Sequence, residues 1–283
     1  MKSWFLYPAA LVGGLALLAS LVAAVLDGEE RLAWLGASLA NLPLPVFVLL
    51  LLRLRVPRTS ENLPLLLLLS LAGLLIAAWE SFVDQNAGWT PTAIAAVGST
   101  LLLMYVFWYS RLQRFPNARL AVGNKLPEFE VTTLDGRIVS SAEYLGRPAV
   151  LVFYRGDWCP VCHGQVLEIA ARQQELENLG VSLSLISPQS AEQSRILAER
   201  SGAASAFLVD SDNAAARALD IVDEEGVPLG RSRGYRRDSV MPTVILTNQK
   251  GTILFSDQTN NYRVRPEPDI YISILKRTGA VAT

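Results

Sequence analysis

The sequence predicts an α/β layered domain, a central mixed sheet flanked by helices, preceded by an all-α membrane region of four helices. Three observations carry this. Residues 1 to about 110 are dominated by Leu, Ala and Val; strand and helix patterns alternate beyond residue 122; and Trp158-Cys159-Pro160-Val161-Cys162 directly follows the apolar run Ala149–Tyr154. Those two cysteines are the only two of the 283-residue chain. Two thiols spaced C-x-x-C at a strand-to-helix junction read as a redox dithiol.

A chain of this length fits about two domains, and 51% hydrophobic residues is high for a soluble protein. The excess sits in four stretches, 4–26, 32–52, 63–83 and 91–109, each near or above the ~18–20 apolar residues that cross a ~30 Å hydrocarbon core. Trp4, Tyr7, Trp34, Trp79, Trp89, Trp108 and Tyr109 fall near the ends of these stretches, where amphipathic rings favour the headgroup region. Buried soluble helices would need a polar face, and these stretches lack one. Pro43 and Pro45 are expected to kink the second span. Glu80 lies near the outer end of the third and reads as solvated. Residues 1–119 hold eight basic and six acidic residues, leaving 17 basic and 20 acidic for the remainder. Neither part is basic enough for nucleic acid.

Basic residues near span ends are retained in the cytoplasm. With four spans, the N-terminus, the second loop and the C-terminal domain share a side. It carries Lys2, Arg53, Arg55, Arg58, Arg111, Arg114 and Arg119, against Arg31 alone on the other, among Asp27, Glu29, Glu30 and Asp84. The distribution predicts a multi-pass membrane protein with its α/β domain on the cytoplasmic side. Reading the first span as a cleaved signal peptide leaves that side unchanged.

The expected domains are a transmembrane region 1–110, a juxtamembrane linker 111–121 and an α/β domain 122–279. Pro116, Asn117, Gly123, Asn124 and Pro127 break the linker. Phe129–Thr133 and Arg137–Val139 flank a Leu134-Asp135-Gly136 turn and read as a hairpin. A short helix 140–145 leads to a buried strand 149–154. Then follow a helix 160–179, strand 181–187, helix 191–201, strand 206–209 and helix 213–219. A Gly/Arg-rich loop 224–239 precedes strands 243–246 and 252–255, and an amphipathic helix 267–277 ends the domain.

The thiol chemistry follows from position. A helix N-terminus presents unpaired N–H groups and partial positive charge that lower a cysteine pKa. Cys159, at the helix start with Pro160 at the first helical position, is then the thiolate. Cys162, one turn later, attacks the mixed disulfide, and Trp158 shields one side. Two buried structural cysteines are the alternative. His163, the only histidine, and Asp157 push the thiols in opposite directions. Cys159-Pro-Val-Cys162-His163 also matches the C-x-x-C-H haem motif, against which stand the preceding strand and the cytoplasmic side. The two cysteines and His163 supply at most three zinc ligands.

The order strand, W-C-x-x-C, long helix, then Met241-Pro242-Thr243 before a hairpin resembles the thioredoxin arrangement. That resemblance implies a cis-proline at Pro242 beside the dithiol, with Thr243 following. The wider stretch, Leu126-Pro-Glu-Phe, Phe153-Tyr-Arg-Gly-Asp-Trp-Cys and Tyr262-Arg-Val-Arg-Pro-Glu-Pro, more closely resembles peroxiredoxin-like members of the alkyl hydroperoxide reductase and thiol-specific antioxidant family over about 120–278. Against the family's P-x-x-x-T-x-x-C, Arg155 occupies the Pro position, Cys159 the Thr position and Cys162 the peroxidatic cysteine. The two resemblances thus assign opposite roles to the two thiols, and both assignments stand. Peroxide-stabilising charge would come from Arg236, Arg237 or Arg155, while Arg231, Arg233, Arg236 and Arg237 also read as a solvated basic loop.

The expected function is a membrane-anchored thiol-disulfide oxidoreductase cycling Cys159 and Cys162, with Trp158, Pro160, Pro242, Thr243, Arg155 and His163 in support. The alternatives are a thiol-dependent hydroperoxide peroxidase of peroxiredoxin type, acting on lipid-derived peroxides, and a non-enzymatic membrane redox sensor. The expected partners are a thiol reductant (thioredoxin or a low-molecular-weight thiol), a disulfide or hydroperoxide substrate and the lipid bilayer, with no metal, no cofactor and no nucleic acid. The spans hold no cysteine, so they read as an anchor or docking surface rather than an electron relay.

Overall fold

The computed structural model describes residues 2–83, 88–228 and 236–281; Asp84, Arg231 and Arg233 lie outside them. They form two compact units: Lys2–Leu54 with Ser60–Arg111, and Arg55–Thr59 with the chain from Leu112 onward.

The first unit is helical: α1 (Leu6–Leu26), α2 (Arg31–Asn41), α3 (Pro43–Leu54), α4 (Pro64–Val83) and α5 (Thr90–Met104), the last continuing as a π-helical turn Tyr105–Tyr109. Four helices are long and apolar enough to cross a membrane, Leu6–Leu26, Arg31–Leu54, Pro64–Val83 and Thr90–Tyr109. The second is divided at Leu42, because Pro43 and Pro45 each lack the N–H that continues the i→i−4 ladder. Glu80 is half-buried in the last turn of α4.

Small residues let α2 and α4 meet backbone to backbone. A Cβ on Gly36 would lie 2.7 Å from Ala77 N, and one on Gly73 would lie 2.6 Å from Gly36 O. Ala37, Ala40, Ala77 and Ala95 complete this seam. Side-chain hydrogen bonds tie these helices together: Ser70 Oγ of α4 donates to Ala40 O of α2 (3.0 Å), Asn41 Nδ2 of α2 donates to Ile94 O of α5 (3.1 Å), and the Ser81 and Thr92 hydroxyls of α4 and α5 meet at 2.9 Å.

The second unit is a thioredoxin-like fold. Its strands are β1 (Glu130–Thr133), β2 (Ile138–Ser140), β3 (Ala149–Phe153), β4 (Ser182–Ser187), β5 (Phe207–Val209), β6 (Val222–Asp223), β7 (Ser239–Val240), β8 (Thr243–Thr247) and β9 (Ile253–Asp257). Seven form one sheet in the order β2-β1-β5-β4-β3-β8-β9; β6 and β7 form a separate pair. The main sheet is mixed: β3 runs parallel to β4 and antiparallel to β8. All five residues of β3, Ala-Val-Leu-Val-Phe, are buried, as a strand covered on both faces requires. The helices are α6 (Pro160–Ala170), α7 (Gln173–Asn178), α8 (Ala191–Ser201), α9 (Ala214–Ala218) and α10 (Pro268–Arg277).

Two elements differ from the pattern read in the sequence. The single helix expected over 160–179 is two, because Arg172 N turns back to Ile169 O (2.9 Å) and tightens the end of α6. The loop 224–239 is closed at its base by the β6–β7 pair, Val222 opposite Val240.

Overpacking of a close backbone contact costs about 1–3 kcal/mol. Gly73→Val is therefore expected to lower the thermal unfolding midpoint of the detergent-solubilised chain, whereas Gly28→Ala, where a Cβ meets nothing within 4 Å, is expected to leave it unchanged.

Candidate active site

β3 ends at Phe153, opposite Ile186 of β4 and Thr243 of β8. Tyr154 extends the pairing by one bond, N–H to Ile186 O at 2.9 Å, and the chain then turns off the sheet edge into α6. Cys159 is the N-cap of α6: its Sγ accepts from the N–H of Cys162 at 3.4 Å, in the role usually taken by a Ser or Asp oxygen. Pro160 follows at the first helical position, where a missing N–H costs nothing. Both thiols are free, Cys159 at 1% and Cys162 at 0% exposure. Of the motif, Asp157, Trp158 and Pro160 reach solvent in part, so the approach to the sulfurs runs past them.

Burial penalises either thiolate, and what separates the two is their neighbours. Burial pushes the Cys159 thiol well above its ordinary range, and its hydrogen bond to Cys162 and the charge there add to this. For Cys162 burial also raises the pKa. The opposing groups outweigh it and bring the pKa down to about 6: the Cys159 S–H, the charge of Arg265, and the backbone N–H and guanidinium of Arg155. The neighbours thus favour the thiolate of Cys162 over that of Cys159.

Arg155 is fixed on all sides. Its guanidinium lies 4.7 Å from the Trp158 ring centroid and 5.5 Å from that of Tyr262, pairs with Asp223 Oδ2 at 3.0 Å and donates to Gly226 O at 2.6 Å. His163 Nδ1 lies 2.6 Å from Asp157 Oδ1, and Arg55 Nη1 lies 2.9 Å from Nε2 and 3.2 Å from Nδ1. That histidine bond, ahead of the opposing effect of burial, holds the Asp157 carboxyl below its usual range. The ring is 2% exposed and lies between Asp157 and Arg55. Among the described residues no group of three or more His, Cys, Asp or Glu side chains is arranged for a metal. The buried Gln189 ties the loop down, accepting from Asp157 N (2.8 Å) and donating to Tyr154 Oη (3.1 Å) and Ser194 Oγ (3.1 Å).

Cys159, Cys162, Trp158, Pro160, Arg155 and His163 thus occupy one loop and helix start, with Thr243 across from Phe153 at the same sheet edge. Two expectations are corrected. Every described peptide bond is trans, so Met241–Pro242 is not the cis bond that the thioredoxin resemblance implies. A trans bond carries the chain extended from Val240, paired with Val222, to Thr243, paired with Phe153, and Pro242 O accepts from Arg114 Nη1 at 3.2 Å. Arg236 and Arg237 do not face the thiols: they pair on the surface with Asp212 (2.5 Å) and Glu225 (3.8 Å).

The site also holds residues the sequence reading passed over. Arg265 is buried, its Nη1 donating to Val264 O at 2.9 Å, while Nε and Nη2 have no hydrogen-bond partner among the described residues. Arg114 is similar: its Nε and Nη2 lack partners, and burial, against the attraction of Asp257, lowers its pKa to about 10. The signal for Arg265 lay in Tyr262-Arg-Val-Arg265, two arginines in alternation within the stretch that carries the resemblance; Gln189 had none.

A buried dithiol at the head of the first helix of a thioredoxin-like domain defines an oxidoreductase. Residues 122–256, just under half of the chain, match the model of the AhpC/TSA family. The chain is 25% identical over 135 residues, 48% of this chain and 84% of the relative, to a putative peroxiredoxin, Bcp, of Haemophilus influenzae. It is 26% identical over 102 residues to the peroxiredoxin Bcp of Bacillus subtilis, of which it spans 65%. Among solved structures, AhpC of Enterococcus faecalis superposes with a TM-score of 0.46 at 18% identity, over 56% of this chain and 92% of that one.

An anionic sulfur absorbs near 240 nm. Titrated in the full chain, Cys162 is expected to ionise as pH rises through about 6, protonated below and thiolate above. Arg265→Gln removes a charge that favours the thiolate, so its midpoint is expected to move up toward the ordinary range of ~8.5. An unchanged midpoint would remove Arg265 from the site.

Proposed function

We propose that the protein is a thiol-dependent hydroperoxide peroxidase of peroxiredoxin type, held at the membrane by its four apolar helices, in which Cys162 attacks and Cys159 resolves. The observation that carries this reading is the convergence on Cys162 of the Cys159 S–H, the charge of Arg265 and the Arg155 N–H, which favour its thiolate over that of Cys159. The family match over 122–256 supports it, as does the pairing of Cys162 with the family's peroxidatic position.

The Cys162 thiolate attacks the distal oxygen of a hydroperoxide. The O–O bond breaks, the sulfur becomes a sulfenic acid, and the alkoxide leaves with a proton as the alcohol. The sulfur of Cys159, one helical turn away, displaces hydroxide from the sulfenic sulfur; water leaves and a Cys159–Cys162 disulfide forms. Two equivalents of an external thiol, thioredoxin or a low-molecular-weight thiol, then reduce it. In sum, one hydroperoxide and two thiols give one alcohol, one water and one disulfide. Arg155 acts through its backbone N–H while its guanidinium is spent on Asp223 and the two rings.

The membrane part rests on apolar side chains that face outward from the helical unit, among them Leu11, Leu15, Val22, Leu68, Leu75 and Phe82, and on the distribution of basic residues that puts the thiol domain on the cytoplasmic side. Hydroperoxides formed in lipid are then the nearest substrates.

Dithiol exchange led by Cys159 is favoured by one contact, the N–H of Cys162 on its sulfur. Turnover separates the two. With hydrogen peroxide and dithiothreitol, the detergent-solubilised full chain is expected to turn over and Cys162→Ser to lose all consumption; without added thiol, Cys159→Ser is expected to consume about one equivalent and remain a sulfenic acid. Undiminished consumption by Cys162→Ser would transfer the attacking role to Cys159.

A further inference from the structure

The dithiol helix has a notch at Gly164, two residues beyond Cys162, and the chain that fills it comes from the loop joining α3 to α4. A Cβ on Gly164 would lie 2.8 Å from both Pro57 N and Val56 C and would run into Arg55 O. Arg58 pairs with Glu168 one turn further along α6, and with Glu267 at 3.5 Å. Thr59 N donates to Arg263 O at 3.0 Å, and Arg263 Nη1 donates to Thr59 Oγ1 at 2.6 Å. At the head of this segment Arg55 adopts φ 49, a left-handed conformation unfavourable for a side-chain-bearing residue. Its guanidinium reaches His163 Nε2 at 2.9 Å.

His163 directly follows Cys162, and Asp157 precedes Cys159 by two residues. The 2.6 Å bond between them closes a seven-residue ring of chain that contains both cysteines. Asp157 holds Nδ1, and the Arg55 guanidinium lies against the edge of the imidazole, 2.9 Å from Nε2 and 3.2 Å from Nδ1. The ring is buried, while Arg55 is exposed and Asp157 partly so, so the ring is held from its solvent side.

We propose that Arg55 is a positioning residue of the thiol site, clamping His163 against Asp157 so that the first turn of α6 keeps Cys162 before Arg265 and the Arg155 N–H. It touches neither sulfur and acts through His163. The inference rests on Cys162 being the thiolate. It gives the α3–α4 loop a part in catalysis: a fragment starting near residue 120 would keep the whole family match, 122–256, and lose the clamp.

The charged or titratable groups that face Cys162 are Cys159, Tyr154, Arg155 and Arg265, with Asp157 and His163 closing its own turn. Loss of the clamp moves Cys162 relative to all of them, which thiolate absorbance at 240 nm reads without any turnover. In the detergent-solubilised full chain, Arg55→Ala is expected to raise the proton affinity of Cys162 about tenfold, its midpoint climbing from about 6. Arg55→Lys, which restores a cationic donor, is expected to titrate like the wild type, and Arg53→Ala, an exposed neighbour, likewise. Gly164→Val, which pushes on the Arg55 backbone and expels the loop while leaving the Arg55 side chain unaltered, is expected to match Arg55→Ala, and the double variant to be no worse than either single one. Arg55→Met keeps the stem and replaces the alanine variant if that chain loses its circular dichroism. A folded Arg55 variant titrating at about 6, or additive effects at positions 55 and 164, would overturn the clamp. Failure of the wild type to consume peroxide would overturn the proposed function and leave the titration series to judge the clamp.

Discussion

The thiol domain is built around one constraint: a dithiol that water does not reach, with groups that favour a negative charge gathered around Cys162. An isolated buried thiolate is prohibitively costly, and a buried thiol ordinarily stays protonated. Here the cost is met from four directions at once. A neighbouring S–H, a backbone N–H and two guanidinium groups converge on Cys162. The N-cap position, which favours an anion through the helix dipole, belongs to Cys159, yet one bond from the Cys162 N–H is outweighed by burial and by the thiolate next door. A charge one turn inside the helix rather than at its tip, as the proposed peroxidase requires, reverses the roles that the C-x-x-C spacing alone suggests.

The fold supplies those four groups from elements far apart in the chain. β3 delivers Arg155 at the sheet edge, and its side chain is braced by Asp223 beside the β6–β7 pair and by the Trp158 and Tyr262 rings. The segment that follows β9 works residue by residue. Tyr262 stacks on Arg155, Arg263 holds Thr59, Arg265 serves Cys162, and Glu267 meets Arg58. Gln189, reached from β4, pins Asp157. Such a site consists of a short motif plus the charges a mixed sheet gathers around it.

The sequence made the scaffold legible where one physical cause dominates. Continuous apolar runs, the five-residue buried strand and the dithiol at its exit each leave a local pattern, and the helical spans, the sheet and the position of Cys159 and Cys162 follow from them. The charge environment was not legible, because Arg265 lies 103 residues beyond Cys162 in the chain and no spacing rule joins them. Arg236 and Arg237 drew attention as a basic cluster and proved to be surface ion pairs. Arg55 was read only as a topological charge, since the contact with His163 depends on Gly164 offering bare backbone. The Met241–Pro242 bond shows how a familiar order of elements overstates local geometry: Pro242 stands where the resemblance puts it, in the trans form.

The identity of the first sulfur to be oxidised tests this account most directly. One equivalent of hydroperoxide added to the reduced full chain, with a sulfenic-acid trap present and the adduct located by mass spectrometry, reads it in a single turnover. The charge distribution requires the adduct on Cys162. An adduct on Cys159, or an untouched dithiol after the peroxide has had time to react, would contradict it.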